Sequence, residues 1–312
     1  MTPPERPRIV RGSTITQPSP TPPPHVAPRR SRTDVFLRAL RPKQWAKNVL
    51  VFAAPGAAGV LGQPDVLARS ATAFAAFSMV AAATYLVNDV VDVASDRAHP
   101  TKSLRPVAAG ELSPRAAIVG AWVLFLVGLV VSSMLGLRFV AVVAAYVGLT
   151  VAYSLWLKRV AVIEMAVVAS GFVLRAVAGS AATHVPPSAW FLILASSGAM
   201  FVVAGKRLAD VRVGGAPRPA YPVEFLRGVW MVSAAVTVTA YCLWAFAVPH
   251  TVNGIAWSQV SIVPFALAIL RYAYDIERGH GGSPEIVFLR DRVLEGITVA
   301  WAVVYGLGVY LK

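Results

Sequence analysis

The sequence is poor in cysteine and in charged residues. Cys242 is the only cysteine among 312 residues and lies in an apolar run, which excludes a disulfide framework and a zinc-finger spacing. Charged residues make up 14% of the chain and hydrophobic residues 56%, whereas soluble domains usually carry about 25% charged residues. These proportions argue against a soluble protein and favour one that crosses a membrane several times.

Acidic residues are also scarce, with 15 Asp and Glu against 29 Lys and Arg, so that the formal net charge is +14. In a soluble protein that charge would suggest nucleic acid as a partner. Here the basic residues fall between apolar runs, so membrane topology explains them first and no nucleic acid is expected. Anionic membrane lipid and phosphorylated substrates are the second explanation.

Two further absences define the domain organisation. Residues 1–33 are rich in proline and arginine and lack both apolar periodicity and the apolar segment of a signal peptide, so we expect a disordered cytoplasmic tail. Residues 34–312 lack strand-like alternation and repeat apolar runs near the ~20 residues that a bilayer requires. We expect an all-α polytopic membrane domain of about nine transmembrane helices, near 46–62, 70–91, 115–134, 138–157, 160–181, 188–205, 225–247, 257–275 and 291–311.

Basic residues concentrate in alternate connections between these runs. The connections after the second, fourth, sixth and eighth runs are basic, as in Lys158-Arg159, whereas the segment THVPPS at 183–188 has no Lys or Arg. Cytoplasmic loops carry the excess of Lys and Arg. The pattern therefore predicts a cytoplasmic N-terminus and a C-terminus outside.

The second run ends in the acidic stretch NDVVDVASD. On a continuous helix Asn88, Asp89, Asp92 and Asp96 would share an arc of about 100° along ~12 Å of axis. Like charges at these spacings destabilise a helix unless a cation offsets them, and oxygen ligands suit Mg²⁺. We predict that Asp89, Asp92 and Asp96 are metal-binding and catalytic, with Asn88 binding substrate. The alternative is a solvated acidic helix end.

Cations follow this stretch directly. His99-Pro100 is expected to end the helix, and the next loop brings Lys102 and Arg105 beside the carboxylates. A metal site flanked by cations suits a polyanionic ligand such as a diphosphate.

Further ionisable residues occur within or at the ends of apolar runs, where they usually mark function. The substrate-binding candidates among them are Lys47, Glu164, Arg175, Lys206, Arg207 and Asp210. Glu164 and Arg175 lie ~16 Å apart along one helix, too far for a direct pair. The alternatives are an i,i+4 salt bridge between Lys206 and Asp210 and simple membrane anchoring by Lys47.

Residues 38–311 resemble the UbiA-type superfamily of intramembrane prenyltransferases. The NDxxDxxxD motif at 88–96, its extension HPTKSLRP at 99–106 and the nine expected helices carry the resemblance. The superfamily usually has a second Asp-rich motif after the sixth helix, but the matching segment 205–215 keeps Asp210 and has glycine at 214. Segments such as 41–55, 203–207 and 264–273 look closer to one branch, the actinobacterial decaprenyl-phosphate phosphoribosyltransferases.

That resemblance implies a UbiA-like helical bundle in the bacterial plasma membrane and an Mg²⁺-dependent phosphoribosyltransferase. The reaction would move 5-phosphoribose from phosphoribosyl diphosphate (PRPP) to decaprenyl phosphate and release diphosphate, for cell-wall arabinan precursors. A homotrimer is the assembly suggested by analogy with this branch. Two alternatives stay open, a polyprenyltransferase acting on an aromatic or other acceptor and a membrane transporter with carboxylates along its path.

Overall fold

The computed structural model describes residues 31–212, 219–247, 251, 253–278, 287 and 290–311. Every regular element within these ranges is a helix, in agreement with the predicted all-α class. Residues 1–30 of the expected tail lie outside the described residues. The described chain starts at Ser31, whose side chain caps a helix that begins at Arg32, inside the predicted tail boundary.

The helices follow the apolar runs closely. The first five are α1 (Arg32–Ala39), α2 (Pro42–Trp45), α3 (Ala53–Ala57), α4 (Pro64–Val91) and α5 (Val93–Arg97). The next eight in the described ranges are α6 (Pro114–Ser133), α7 (Leu137–Leu155), α8 (Ile163–Thr183), α9 (Ala189–Arg212), α10 (Val223–Ala247), α11 (Trp257–Val260), α12 (Ile262–Glu277) and α13 (Arg292–Tyr310).

Seven of the described helices are long and apolar enough to cross a membrane, namely α4, α6, α7, α8, α9, α10 and α13. The other two predicted runs take different forms. The first is broken, because a 3-10 stretch over Ala46–Phe52 separates α2 from α3. The eighth is divided into α11 and the 16-residue α12. The chain therefore has the expected order of segments, but two of the nine are shorter than a regular span.

Close packing against α8 positions the broken first segment. Gly179 of α8 lies directly under the Val51 carbonyl, and a Cβ at that position would overlap the oxygen. The contact places the 3-10 stretch against the C-terminal half of α8. Asn48 is thereby buried beside that helix and donates to Ser78 Oγ at 2.9 Å.

Three apolar clusters hold the bundle together and leave polar residues at one end. One joins the 3-10 stretch, α4, α7 and α8 around Phe77 and Phe139, another joins α1, α4 and α6 around Leu86, and the third joins α8, α9, α10 and α12 around Leu208. Burial of such apolar side chains excludes lipid from the helix contacts. At the polar end, Asp92 at the end of α4 lies near Lys158, and Glu164 at the start of α8 pairs with Arg207 near the end of α9.

Candidate active site

The acidic motif crosses a helix break. Helix α4 ends at Val91, Asp92 is its C-cap with φ −90° and ψ 6°, and α5 starts at Val93. The expectation of one continuous carboxylate face is therefore wrong, because the backbone turns in the middle of the motif. Asp89 and Asp96 converge on one side, whereas Asn88 and Asp92 face α7.

Asp89 and Asp96 form a buried pair of carboxylates, with relative exposures of 1% and 2%. Arg105 Nη1 lies 2.5 Å from Asp96 Oδ2 and 3.3 Å from Asp89 Oδ1. Arg41 Nη2 also donates to Asp89 Oδ1. Two guanidinium groups thus neutralise two carboxylates that water does not reach, as buried charges require. The predicted proximity of Arg105 to the carboxylates is present.

Asn88 and Asp92 line a separate groove of about 270 Å³ between α4, α6 and α7. Asn88 Oδ1 accepts a hydrogen bond from Ser154 Oγ at 3.2 Å. Asp92 is 40% exposed and lies 3.9 Å from Lys158 Nζ. In this arrangement the side chains of Asn88 and Asp92 do not reach the Asp89–Asp96 pair.

The donor set at Asp89 and Asp96 suits a metal that brings further ligands with it. Asp89 Oδ2 is buried, and no described residue donates a hydrogen bond to it. Among the described residues no three His, Cys, Asp or Glu side chains are grouped to enclose a metal ion. Mg²⁺ binds through one or two carboxylates together with phosphate oxygens and water. The residues therefore fit a cation held jointly with a phosphorylated ligand.

A second charged cluster forms where α8 begins and α9 ends. Glu164 is 1% exposed. Arg207 donates to both of its carboxylate oxygens, from Nε at 2.9 Å and from Nη2 at 2.8 Å. Arg207 Nη1 lies 3.7 Å from Asp210 Oδ2, so the described partner of Asp210 is Arg207 at i,i+3 and not Lys206, as the alternative interpretation had it. Lys206 itself is exposed. Such a bidentate buried pair fixes geometry more firmly than a surface pair does.

Tyr221 connects this cluster to a strained turn. Val162 has φ 68° and ψ −49°, and Ile163 N donates to Ala161 O at 2.8 Å, the geometry of a γ-turn that is costly for a β-branched residue. Tyr221 Oη accepts from Val162 N at 2.8 Å and donates to Glu164 Oε1 at 3.2 Å. Burial raises the pKa of the Tyr221 hydroxyl, and the adjacent carboxylate adds to that rise. The hydroxyl therefore stays protonated and holds the turn and the carboxylate together.

Arg175 lies deep in the bundle at 5% exposure. Its three nitrogens donate to Asn48 Oδ1 at 2.7 Å, Gly171 O at 2.6 Å and Tyr146 Oη at 3.0 Å. Its guanidinium also stacks on the Tyr146 ring at 4.8 Å. No carboxylate of the described chain lies within ion-pair distance of it, and the predicted absence of a direct Glu164–Arg175 pair is confirmed, since Glu164 pairs with Arg207. Arg175 thus presents a positive charge that neutral partners orient and do not cancel.

Arg175 and Lys47 line one cavity of about 170 Å³, together with the phenol rings of Tyr85, Tyr146 and Tyr153. Lys47, whose Nζ donates to Gln44 Oε1 at 2.6 Å, also lines an apolar cavity of about 500 Å³ between the 3-10 stretch, α8 and α9. The two cavities share Lys47 and Phe172. A cationic pocket thus adjoins an apolar one, which suits a ligand with an anionic head and a hydrocarbon tail.

Sequence reasoning missed two residues of the site. Arg41 donates to Asp89, and Tyr221, in the connection between α9 and α10, donates to Glu164; neither was among the predicted site residues. The only local signal for Arg41 is its place directly before Pro42, at a helix start near a charged site. Lys102 lies on an exposed 3-10 turn over Lys102–Leu104 and makes no contact with the carboxylates.

Comparisons with known proteins place the chain in a family. The model of the UbiA prenyltransferase family matches residues 49–293. A decaprenyl-phosphate phosphoribosyltransferase of Mycobacterium tuberculosis is 44% identical over 284 residues, covering 88% of this chain and 93% of that relative. The protein of the same description from Corynebacterium glutamicum is 40% identical over 297 residues, covering 91% of this chain and 89% of the relative.

The fold is shared with solved structures at lower sequence identity. A UbiA homolog from Archaeoglobus fulgidus bound to DMAPP and Mg²⁺ superposes with a TM-score of 0.67 at 20% identity. The match covers 88% of this chain and 98% of the other. It confirms the predicted helical bundle and is a likeness of fold alone.

Proposed function

This chain belongs to the UbiA prenyltransferase family, and we propose that it transfers 5-phosphoribose from PRPP to decaprenyl phosphate, releasing diphosphate. The relatives that share 39–44% of their residues with most of this chain carry the description decaprenyl-phosphate phosphoribosyltransferase. The observation that carries the proposal is the junction at Lys47, where a cationic cavity meets an apolar one. An acceptor with a phosphate head and a polyprenyl tail needs both.

Lys47 and Arg175 are the groups that we assign to the acceptor phosphate. Arg175 is fixed by Asn48 and Tyr146 before any ligand binds, so little side-chain entropy is lost on binding. The tail would occupy the apolar cavity beside Phe172 and leave between the helices into the bilayer. The acceptor phosphate is already anionic, so the transfer needs no strong general base.

The Asp89–Asp96 pair is the group that we assign to the donor diphosphate. These two carboxylates would hold a divalent cation, which we propose is Mg²⁺, and the bound cation would neutralise charge on the leaving diphosphate. Arg105 contacts both carboxylates and is exposed enough to reach a diphosphate as well. The carboxylates would also stabilise positive charge that develops at the anomeric carbon. Direct displacement would invert that centre.

The remaining candidates fall into two groups. Glu164, Arg207 and Asp210 form an ordered cluster beside Tyr153, which lines the cavity of Arg175 and Lys47, and we propose that the cluster shapes the donor site. Lys102 and Lys206 are exposed at the polar end, where they would attract anionic substrate from water. Asn88 and Asp92 would need to turn toward the donor if they ligate the cation.

The chain is an integral membrane protein, and we propose a location in the bacterial plasma membrane with the N-terminus and the site on the cytoplasmic side. The basic connections support this orientation, and PRPP is a soluble cytoplasmic compound. A homotrimer stays a proposal by analogy with the branch.

A comparison of two donor substrates, PRPP and a polyprenyl diphosphate, tests this function. Purified protein with Mg²⁺ and decaprenyl phosphate should convert labelled PRPP into a lipid-soluble ribosyl product, and Asp89→Asn should abolish the conversion. Asp65→Asn is the matched control, because Asp65 lies in the first turn of the same helix at its opposite end. Transfer from a polyprenyl diphosphate to an aromatic acceptor, with none from PRPP, would instead identify a polyprenyltransferase. Turnover of neither donor would favour transport.

A further inference from the structure

Arg41 occupies an unusual backbone position between α1 and α2. Its φ of 54° and ψ of 60° place it in the left-handed region, which residues with a Cβ seldom adopt. Pro42 follows directly and disfavours the right-handed helical region for the residue before it. The conformation costs free energy, so a compensating interaction must hold it. In this conformation the guanidinium pairs with Asp89 and lies over the Tyr85 ring, whose centre is 5.2 Å from the guanidinium carbon, and contacts of the neighbouring residues also hold the backbone.

The flanking residues anchor Arg41 independently of Asp89. Arg38 in the last turn of α1 pairs with Glu111 at 2.8 Å and donates to Leu104 O at 3.2 Å. Trp45 Nε1 donates to Leu40 O at 3.1 Å on the other side. The backbone at Arg41 is therefore expected to stay in place when the ion pair between its side chain and Asp89 breaks. The side chain is 26% exposed, so it can reach toward a ligand arriving from the water side.

Charge balance shows what Arg41 does at Asp89. The two carboxylates of Asp89 and Asp96 carry −2, and Arg41 and Arg105 carry +2, so the cluster is neutral. One divalent cation raises the sum to +2 within a few ångströms, where like charges repel strongly. A diphosphate that arrives with the cation removes this excess and offers Arg41 a new partner.

We propose that Arg41 is an internal counter-ion that competes with the divalent cation for Asp89. The free protein then binds the cation weakly, and the cation and a diphosphate bind together, because the diphosphate draws Arg41 away from the carboxylate. The inference relies on the proposed function only in assigning a diphosphate-bearing donor to this site. It assigns Arg41 a role as a binding residue that exchanges partners when the donor arrives.

Thermodynamic linkage makes the consequence measurable. If diphosphate raises the affinity for the cation by some factor, the cation raises the affinity for diphosphate by the same factor. Coupling between two ligands typically amounts to 5–150-fold. Removing the positive charge of Arg41 should strengthen cation binding without diphosphate and reduce the coupling factor, since the competitor is gone.

Mn²⁺ is the probe for this test. Its binding is followed by electron paramagnetic resonance on the full chain in nanodiscs of neutral lipid, with and without inorganic diphosphate and without acceptor lipid. We expect Arg41→Gln to bind Mn²⁺ alone about tenfold more tightly than the wild type. The factor by which diphosphate raises the Mn²⁺ affinity should fall about tenfold in the same variant. Arg41→Lys keeps the charge and should bind Mn²⁺ alone like the wild type. The result does not depend on which group the enzyme transfers, so it can fail while the proposed function stands.

Arg38→Gln is the matched control. It removes the same charge three residues before Arg41, from an arginine that pairs with Glu111 and not with Asp89. It should leave both Mn²⁺ affinities unchanged. Thermal unfolding of each variant checks folding, and Mn²⁺ should raise the unfolding temperature of Arg41→Gln more than that of Arg38→Gln. Equal Mn²⁺ affinity in Arg41→Gln and Arg38→Gln, or an undiminished coupling factor in Arg41→Gln, would overturn the proposal.

Discussion

Replacing Arg207 by glutamine should destabilise the bundle strongly. The change leaves the Glu164 carboxylate, 1% exposed, with Tyr221 Oη at 3.2 Å and without the two bonds from Arg207 at 2.9 and 2.8 Å. Removing one partner of a buried ion pair costs about 3–5 kcal/mol. We expect a loss in that range for Arg207→Gln, because the remaining charge cannot reach water.

The second step of this prediction removes the stranded charge. The double variant Glu164→Gln/Arg207→Gln should be more stable than Arg207→Gln alone by about 1–3 kcal/mol, the usual cost of leaving a buried polar group without its partner. Arg212→Gln serves as a control on the same helix, since its partner Glu277 is 41% exposed. Exposed pairs contribute about 0–1 kcal/mol.

Denaturant unfolding of all four proteins in one detergent measures these differences directly. The reasoning fails if the unfolding free energy of Arg207→Gln lies within about 1 kcal/mol of the wild-type value, since a buried unpaired carboxylate should destabilise the protein by more than that. It also fails if the double variant is less stable than Arg207→Gln. Either result would mean that Glu164 is not enclosed as the structure shows.

Three further predictions test separate parts of the structure. Gly179→Ala should lower the unfolding free energy by about 1–3 kcal/mol, because the added Cβ overlaps the 3-10 stretch. Gly148→Ala is the control, since a Cβ there meets open space and should not lower it. Equal effects of the two substitutions would contradict the close packing of Gly179 on Val51. The bond from Arg271 lowers the pKa of Asp291 to about 2 from 3.8, so its contribution to stability is present above about pH 4 and lost as the pH falls toward 2. Asp291→Asn should remove that pH dependence, measured by unfolding between pH 2 and 5; an unchanged slope would refute the assignment. Gly198→Leu narrows the apolar cavity and should reduce transfer to decaprenyl phosphate more than to a short prenyl phosphate, and equal losses would place the tail elsewhere.

The length of the apolar runs predicted most helices well because a backbone in lipid must satisfy its hydrogen bonds internally. The run at 70–91 became α4, which ends at Val91, and the run at 225–247 became α10, which ends at Ala247. Run length alone did not give the form of the first segment, where a tertiary contact accompanies the irregular backbone. The first run is broken because the carbonyl of Val51 packs onto Gly179, a contact between distant parts of the chain.

The candidate site was predicted in its residue types and only partly in its geometry. Angular reasoning placed all four motif residues on one face because it assumed a continuous helix, and the turn at Asp92 invalidates that assumption. Spacing correctly excluded a pair between Glu164 and Arg175. It could not find the true partner, Arg207, which is 43 residues away in the chain. Long-range pairings of this kind leave no periodic signal in a single sequence.

The fate of two labels in the donor tests the central claim most directly. PRPP is labelled with one isotope in the 5-phosphoribosyl group and with another in the terminal phosphate of its diphosphate, and is incubated with the protein, Mg²⁺ and decaprenyl phosphate. The account predicts that the phosphoribosyl label enters the lipid phase while the diphosphate label stays in water. Both labels in the lipid, or neither, would contradict phosphoribosyl transfer at this site.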